Sequence, residues 1–194
     1  MTMILFRHEL RQGKISLLIW TASVSFLLGL CILIYPEMGS QMEEMSAMFA
    51  DMGSFSQAFG MDKINFGEFI GFFGVECGNV LGLGGAFFAA LAGISALAKE
   101  ENGRTAEFLL THPVSRTAIL TEKLLAVLCQ VLILNATVIG VTALSILLIG
   151  EDVPVKSLAL LLLAYLLMQI ETACITFAAE ASASDWAWPL SFIF

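Results

Sequence analysis

The chain has 194 residues and a formal net charge of −8, with 58% hydrophobic residues, only 13% charged residues and a mean hydropathy of +0.88. A soluble domain is nearer half apolar and a quarter charged, so an ordinary water-soluble globule is excluded. The sum of the charges would repel nucleic acid and anionic lipid alike, but their distribution matters more: the few charges cluster between long apolar runs, which predicts a polytopic membrane protein with no nucleic acid as a partner.

In chain order, Thr2–Gln12 carries Met3, Phe6 and Leu10 at helical spacing, with Arg7, Glu9, Arg11 and Gln12 turned elsewhere. That pattern predicts an amphipathic helix lying at the cytoplasmic interface, its arginines toward lipid headgroups. Gly13 is expected to separate it from the first span; the alternative is that the segment extends that span into the cytoplasm. Ile15–Tyr35 is 21 residues without a formal charge, enough to cross a hydrocarbon core of about 30 Å at about 1.5 Å per residue. The run is too long for a signal-peptide core, and Tyr35-Pro36-Glu37 is no small-residue cleavage site, so a retained span is expected.

Pro36–Asn65 reads as an external segment. Met42, Met45, Met48, Phe49, Met52, Phe55 and Phe59 recur every three or four positions, one face of a helix. Thioethers could meet Cu(I) or a lipophilic cargo there, but the alternation with Phe and the lack of His or Cys favour a packing face.

The second span is expected at 67–98 and is glycine-rich. Gly74-x3-Gly78-x3-Gly82 places small residues along one face and permits close helix approach in lipid. The third, 124–150, has no charge, and the fourth, 155–179, has Lys156 at its edge and Glu171 inside; 186–194 reads as the start of a fifth. Ionisable and amide groups inside spans usually face a bundle interior or a cavity. Glu76, Asn79, Asn135 and Glu171 are therefore candidates for a translocation path, with interhelical bonding as the alternative; Gln130, Gln169 and Thr172 share these depths. Cys31, Cys77, Cys129 and Cys174 sit one per span, which is neither a disulfide framework nor a metal spacing.

Orientation follows from the cations. Arg7, Arg11, Lys14, Lys99, Arg104, Arg116 and Lys123 fall on one side of the expected spans and only Lys63 and Lys156 on the other, so the N-terminus and the central loop are expected in the cytoplasm. Glu180–Asp185 should share that side by parity yet holds no Lys or Arg.

The central stretch, Lys99–Lys123, is the longest polar interruption. Asn102-Gly103 breaks the preceding helix, Thr105 can cap a short one from Ala106 to about Thr111, Pro113 ends it, and Ser115 can cap the helix that runs from Arg116 into the third span. The string KEENGRTAEFLLTHPVSRTAILTEKLLA, with the basic amphipathic N-terminus, resembles the central signature of the ABC-2 permease family, the membrane subunits of ATP-binding-cassette exporters. The matching positions are Glu100, Glu101, Gly103, Arg104, Thr105, Glu107, Leu109, Leu110, Pro113, Val114, Ser115, Arg116 and Lys123.

The resemblance implies an all-α polytopic membrane helical bundle with an N-terminal interfacial helix and a cytoplasmic coupling helix, in a bacterial plasma (inner) membrane. Residues 1–194 would form a single transmembrane domain. Family members typically have six spans, so an incomplete domain is expected. The implied partners are a cytoplasmic ABC ATPase subunit and a second permease copy or homologous permease, within membrane lipid. Arg104, Glu107, Phe108, Leu109, Leu110, Pro113 and Arg116 would couple to the ATPase, an apolar anchor with charges at its rim. With no G-x-x-x-x-G-K-[ST] loop in the chain, ATP and Mg are expected in the partner and no catalytic or metal-binding residue here.

Two other classes share some of these features. Glu100–Arg104 partly resembles the EExxxR motif of membrane-embedded CAAX-type proteases, but the Arg falls one residue early, and His8 and His112 lie outside the spans. A non-transporting membrane anchor or regulatory subunit would need the central loop but not Glu76 or Glu171.

Overall fold

The computed structural model describes residues 4–51, 68–102 and 115–183. Helix α1 (Ile4–Asp51) is followed by α2 (Phe69–Phe72), which passes through a π-helical turn (Phe73–Cys77) into α3 (Gly78–Asn102). Then come α4 (Arg116–Ile149) and α5 (Val155–Ala183). Four helical segments, Ile4–Met38, Phe69–Lys99, Thr117–Ile149 and Val155–Ala183, are long and apolar enough to cross a membrane. The protein is an all-α polytopic bundle, as its composition requires.

The N-terminus departs from expectation. The amphipathic segment is helical, but it is one with the first span, running unbroken through Gly13 and Pro36. The glycine serves approach rather than separation: it is buried, and a Cβ there would come within 2.7 Å of the Gln130 amide of α4. Pro36 lacks the N–H that would bond the Ile32 carbonyl, a loss that membrane helices absorb. The segment from Pro36 therefore starts as helix as far as Asp51. Much of the Met and Phe stripe lies outside the described residues; Met48, within them, is exposed.

The helices pair in parallel, α1 with α4 and α3 with α5. Phe6 and Glu9 of α1 meet Glu122 and Lys123 of α4, and farther along Gly29 meets Val141. On the other pair, Gly78 lies under Tyr165, Gly85 under Gln169 and Gly93 under Thr176 and Ala173. A side chain at any of those three glycines would strike its neighbour, so the glycine-rich face of the second span is the seat of α5. The core holds Leu28, Ile32, Phe73, Leu81, Phe88, Leu97, Val131 and Leu134. At the end opposite Glu9, Tyr35 meets Phe69 edge-on at 5.3 Å and Phe72 at 5.1 Å. The outer belt of exposed Leu, Ile and Phe, among them Leu83, Phe87, Leu144, Leu147 and Leu160, is the surface that lipid would cover.

α4 starts where Ser115 was expected to cap it: Ser115 is extended (φ −67°, ψ 142°) and its hydroxyl accepts from the Ala118 N–H at 3.3 Å. It ends at Gly150, whose φ of 70° is left-handed backbone that suits glycine and turns the chain toward α5.

Candidate functional site

The residues expected to couple to an ATPase, Arg104, Glu107, Phe108, Leu109, Leu110 and Pro113, lie outside the described residues; Arg116 opens α4, its side chain undescribed. The structure describes the two feet of that loop. The preceding foot is the last part of α3, with Ala96 and Lys99; the following foot is the first two turns of α4, with Glu122 and Lys123 just beyond.

An ionic clamp joins both feet to α1. Lys123 is 1% exposed, and its Nζ donates to Glu9 Oε2 at 3.1 Å and to the Ala96 carbonyl at 2.8 Å. Lys99 Nζ stands 3.6 Å from the other oxygen of Glu9, with its own side chain 43% exposed. One buried carboxylate thus holds two ammonium groups and ties three helices together. Beside it, the backbone N–H of Phe6 donates to Glu122 Oε2 at 3.4 Å. That bond ties the first described turn of α1 to α4.

At mid-depth a second polar group joins α4, α5 and α3 with neutral partners. Asn135 Nδ2 donates to Gln169 Oε1 at 2.7 Å and to the Val131 carbonyl at 2.9 Å, while Gln169 Nε2 donates to the Leu81 carbonyl at 3.3 Å. Both side chains are buried, and Gly85 leaves the space in which Gln169 lies. Nearer the opposite end, the Tyr165 hydroxyl donates to the Gly74 carbonyl in the π turn at 3.3 Å. A π turn shifts the backbone register and leaves carbonyls open to such a donor.

The four translocation-path candidates do not converge in the single chain. Asn135 is buried in the neutral node. Glu76 and Asn79 are exposed, and Glu171 is exposed on α5. Gly74 and Gly78 face α5, which puts Glu76, between them, on the far side of its helix; Gln169 and Ala173 face α3, which puts Glu171 on the far side of α5. The two carboxylates therefore look away from each other across the α3–α5 pair. Thr172 instead returns its hydroxyl to the Met168 carbonyl at 2.8 Å.

A profile of the family described as ABC-2 family transporter protein matches residues 3–184, taking in all four long helices and the loop between α3 and α4. The chain belongs to that family. As an ABC-2 family transporter protein it is a multi-pass membrane permease. No curated protein and no solved structure matches it.

In this ABC-2 family chain, sequence reasoning missed the clamp. The charge pattern groups Lys123 with the loop cations, and the helical spacing turns Glu9 away from the apolar face. Two signals were available: Glu9 is the first acid in the chain, the next being Glu37, and Lys123 immediately precedes the uncharged run from Leu124. Tyr165 was missed as well, since its role depends on the π turn.

Proposed function

We propose that this chain is the permease subunit of an ABC-type exporter, driven by a separate cytoplasmic ATPase that engages residues 104–116. The observation that carries the reading is that the family match spans the helices and the loop together, on a chain whose loop feet are joined to α1 by Glu9 and Lys123. The basic end faces the cytoplasm of a bacterial plasma membrane, following the seven cations gathered there. ATP and Mg are bound by the partner, and the chain itself is not an enzyme.

The mechanism is mechanical. A push on residues 104–116 displaces the end of α3 and the start of α4 together. Because Lys123 bonds Glu9 and the Ala96 carbonyl at once, α1 moves with them instead of parting from the bundle. The neutral node at Asn135 and Gln169 holds α4 to α5 at mid-depth, so displacement of α4 also reaches α5. The carboxylates Glu76 and Glu171, outward on opposite faces, are costly against lipid. A second permease copy or homologous permease would cover one such face and build a path there.

Co-purification from detergent-solubilised membranes, with mass spectrometry of what accompanies the chain, tests the reading. The wild-type chain should bring a soluble ATPase in stoichiometric amount, and Phe108→Asp or Arg116→Glu should lose it while still inserting. Wild-type recovery of the ATPase by both variants would sink the coupling assignment. A stable, inserted wild-type chain that brings no ATPase would favour the anchor reading.

A further inference from the structure

The inward turn of Glu9 leaves Arg7 and Arg11 on the outer face of α1 with no acid of their own segment beside them. Ile4, Arg7, His8 and Arg11 line an open groove of about 390 Å³. Arg7 and Arg11 are exposed, and among the described residues neither pairs with a carboxylate. Glu9, the one acid on this segment, is already held by Lys123 and Lys99. His8 Nε2 is 2.9 Å from the Gln12 side-chain amide nitrogen, a contact that holds the ring beside the groove. Two guanidinium groups one helical turn apart present forks suited to phosphate oxygens.

The same stripe continues down the helix. At spacings of three and four residues, Arg7, His8 and Arg11 are followed by Ile15, Leu18, Ile19, Ala22 and Phe26, every one exposed. Ile15, Leu18 and Ile19 are 64%, 67% and 61% exposed. At about 1.5 Å per residue they lie roughly 6–18 Å below the two arginines. Among the described residues, an exposed cationic groove set above an exposed apolar strip has the amphipathic order of one phospholipid molecule.

We propose that this stripe binds an anionic phospholipid, its phosphate held by Arg7 and Arg11 beside His8 and an acyl chain laid along Ile15, Leu18 and Ile19. The site needs only the packing of α1 against α4, and stands whether or not residues 104–116 engage an ATPase. A free phosphate would use the arginines but not the apolar strip, and a zwitterionic lipid would use the strip while bringing its own cation to the groove.

The test is native mass spectrometry of the full-length chain in detergent, titrated with dioleoylphosphatidylglycerol or dioleoylphosphatidylcholine, whose acyl chains are the same. Phosphatidylglycerol should bind more tightly, and inorganic phosphate should not displace it. A cation near a membrane surface is worth about fivefold in affinity, so Arg7→Gln with Arg11→Gln should weaken phosphatidylglycerol about twenty-five-fold and leave phosphatidylcholine unchanged. Lys156→Gln, at the opposite end, should change neither. Equal binding of the two lipids by the wild-type chain, displacement by inorganic phosphate, or full retention of phosphatidylglycerol by the double variant would each overturn the proposal. So would a double variant that keeps the lipid but loses a co-purifying ATPase, since the patch would then be a protein contact.

Discussion

The molecule uses two kinds of polar joint at two depths. At the basic end, Glu9 holds Lys123 and Lys99 in a charged clamp across α1, α3 and α4. At mid-depth, Asn135 and Gln169 join α4, α5 and α3 by neutral amide hydrogen bonds over a glycine floor. The difference follows the cost of charge. Near a membrane surface an ion pair can be buried when its remaining donors reach a carbonyl, as Lys123 does at Ala96; in the hydrocarbon centre amides are the affordable glue. The charged joint sits beside the loop that the proposed mechanism moves, and the neutral one where helices have to stay together in lipid.

Breaking the charged joint should have the largest effect. Among the described residues, Lys123→Met leaves buried Glu9 with only the half-exposed Lys99 nearby, and removing one partner of a buried pair costs about 3–5 kcal/mol. Thermal unfolding in detergent should show that loss, and the double variant Glu9→Gln with Lys123→Met should recover most of it, because both buried charges of the pair are then gone and Lys99 is half-exposed. A double variant as unstable as the single would mean that the pair is not what joins these helices.

Breaking the neutral joint should cost less. Gln169→Leu removes the bonds to Asn135 and Leu81, but Asn135 keeps the Val131 carbonyl. Interhelical hydrogen bonds in membranes average about 0.6 kcal/mol and reach about 1.7, so the unfolding midpoint should fall by clearly less than for Lys123→Met. A loss as large as that of Lys123→Met would invert the comparison.

Lys99→Gln sharpens it from the other side. Its ammonium is 3.6 Å from Glu9 but its side chain is 43% exposed, and exposed pairs contribute about 0–1 kcal/mol. The same unfolding measurement should find it the mildest of the three. The two lysines would then differ because of burial, not because of the partner they share.

Much of the architecture was legible because lipid imposes simple rules. Long uncharged runs had to be helices, Ser115 had the side chain and position of an N-cap, and the Gly74–Gly82 spacing announced a close helix contact, which α5 supplies through Tyr165. What sequence did not disclose was partnership. Gly13 looked like a break because glycine weakens isolated helices, yet here it admits Gln130. Lys123 looked like a loop cation because it stands near Arg116, yet two turns of α4 carry it inward to Glu9, far away in sequence. Glu76, Asn79 and Glu171 were read as path candidates from depth alone; depth does not fix the face, and the helix phases set by Gly78 and Gln169 put Glu76 and Glu171 on opposite sides.

The measurement that tests the account most directly is a photo-crosslink from position 108. With a benzoylphenylalanine in place of Phe108, in intact membranes, illumination should join this chain to a nucleotide-binding ATPase subunit, and the product should disappear when Arg116→Glu is added. Crosslinks only to lipid or to the chain itself, from a protein that is inserted and stable, would contradict the proposal that residues 104–116 carry the drive from an ATPase into the bundle.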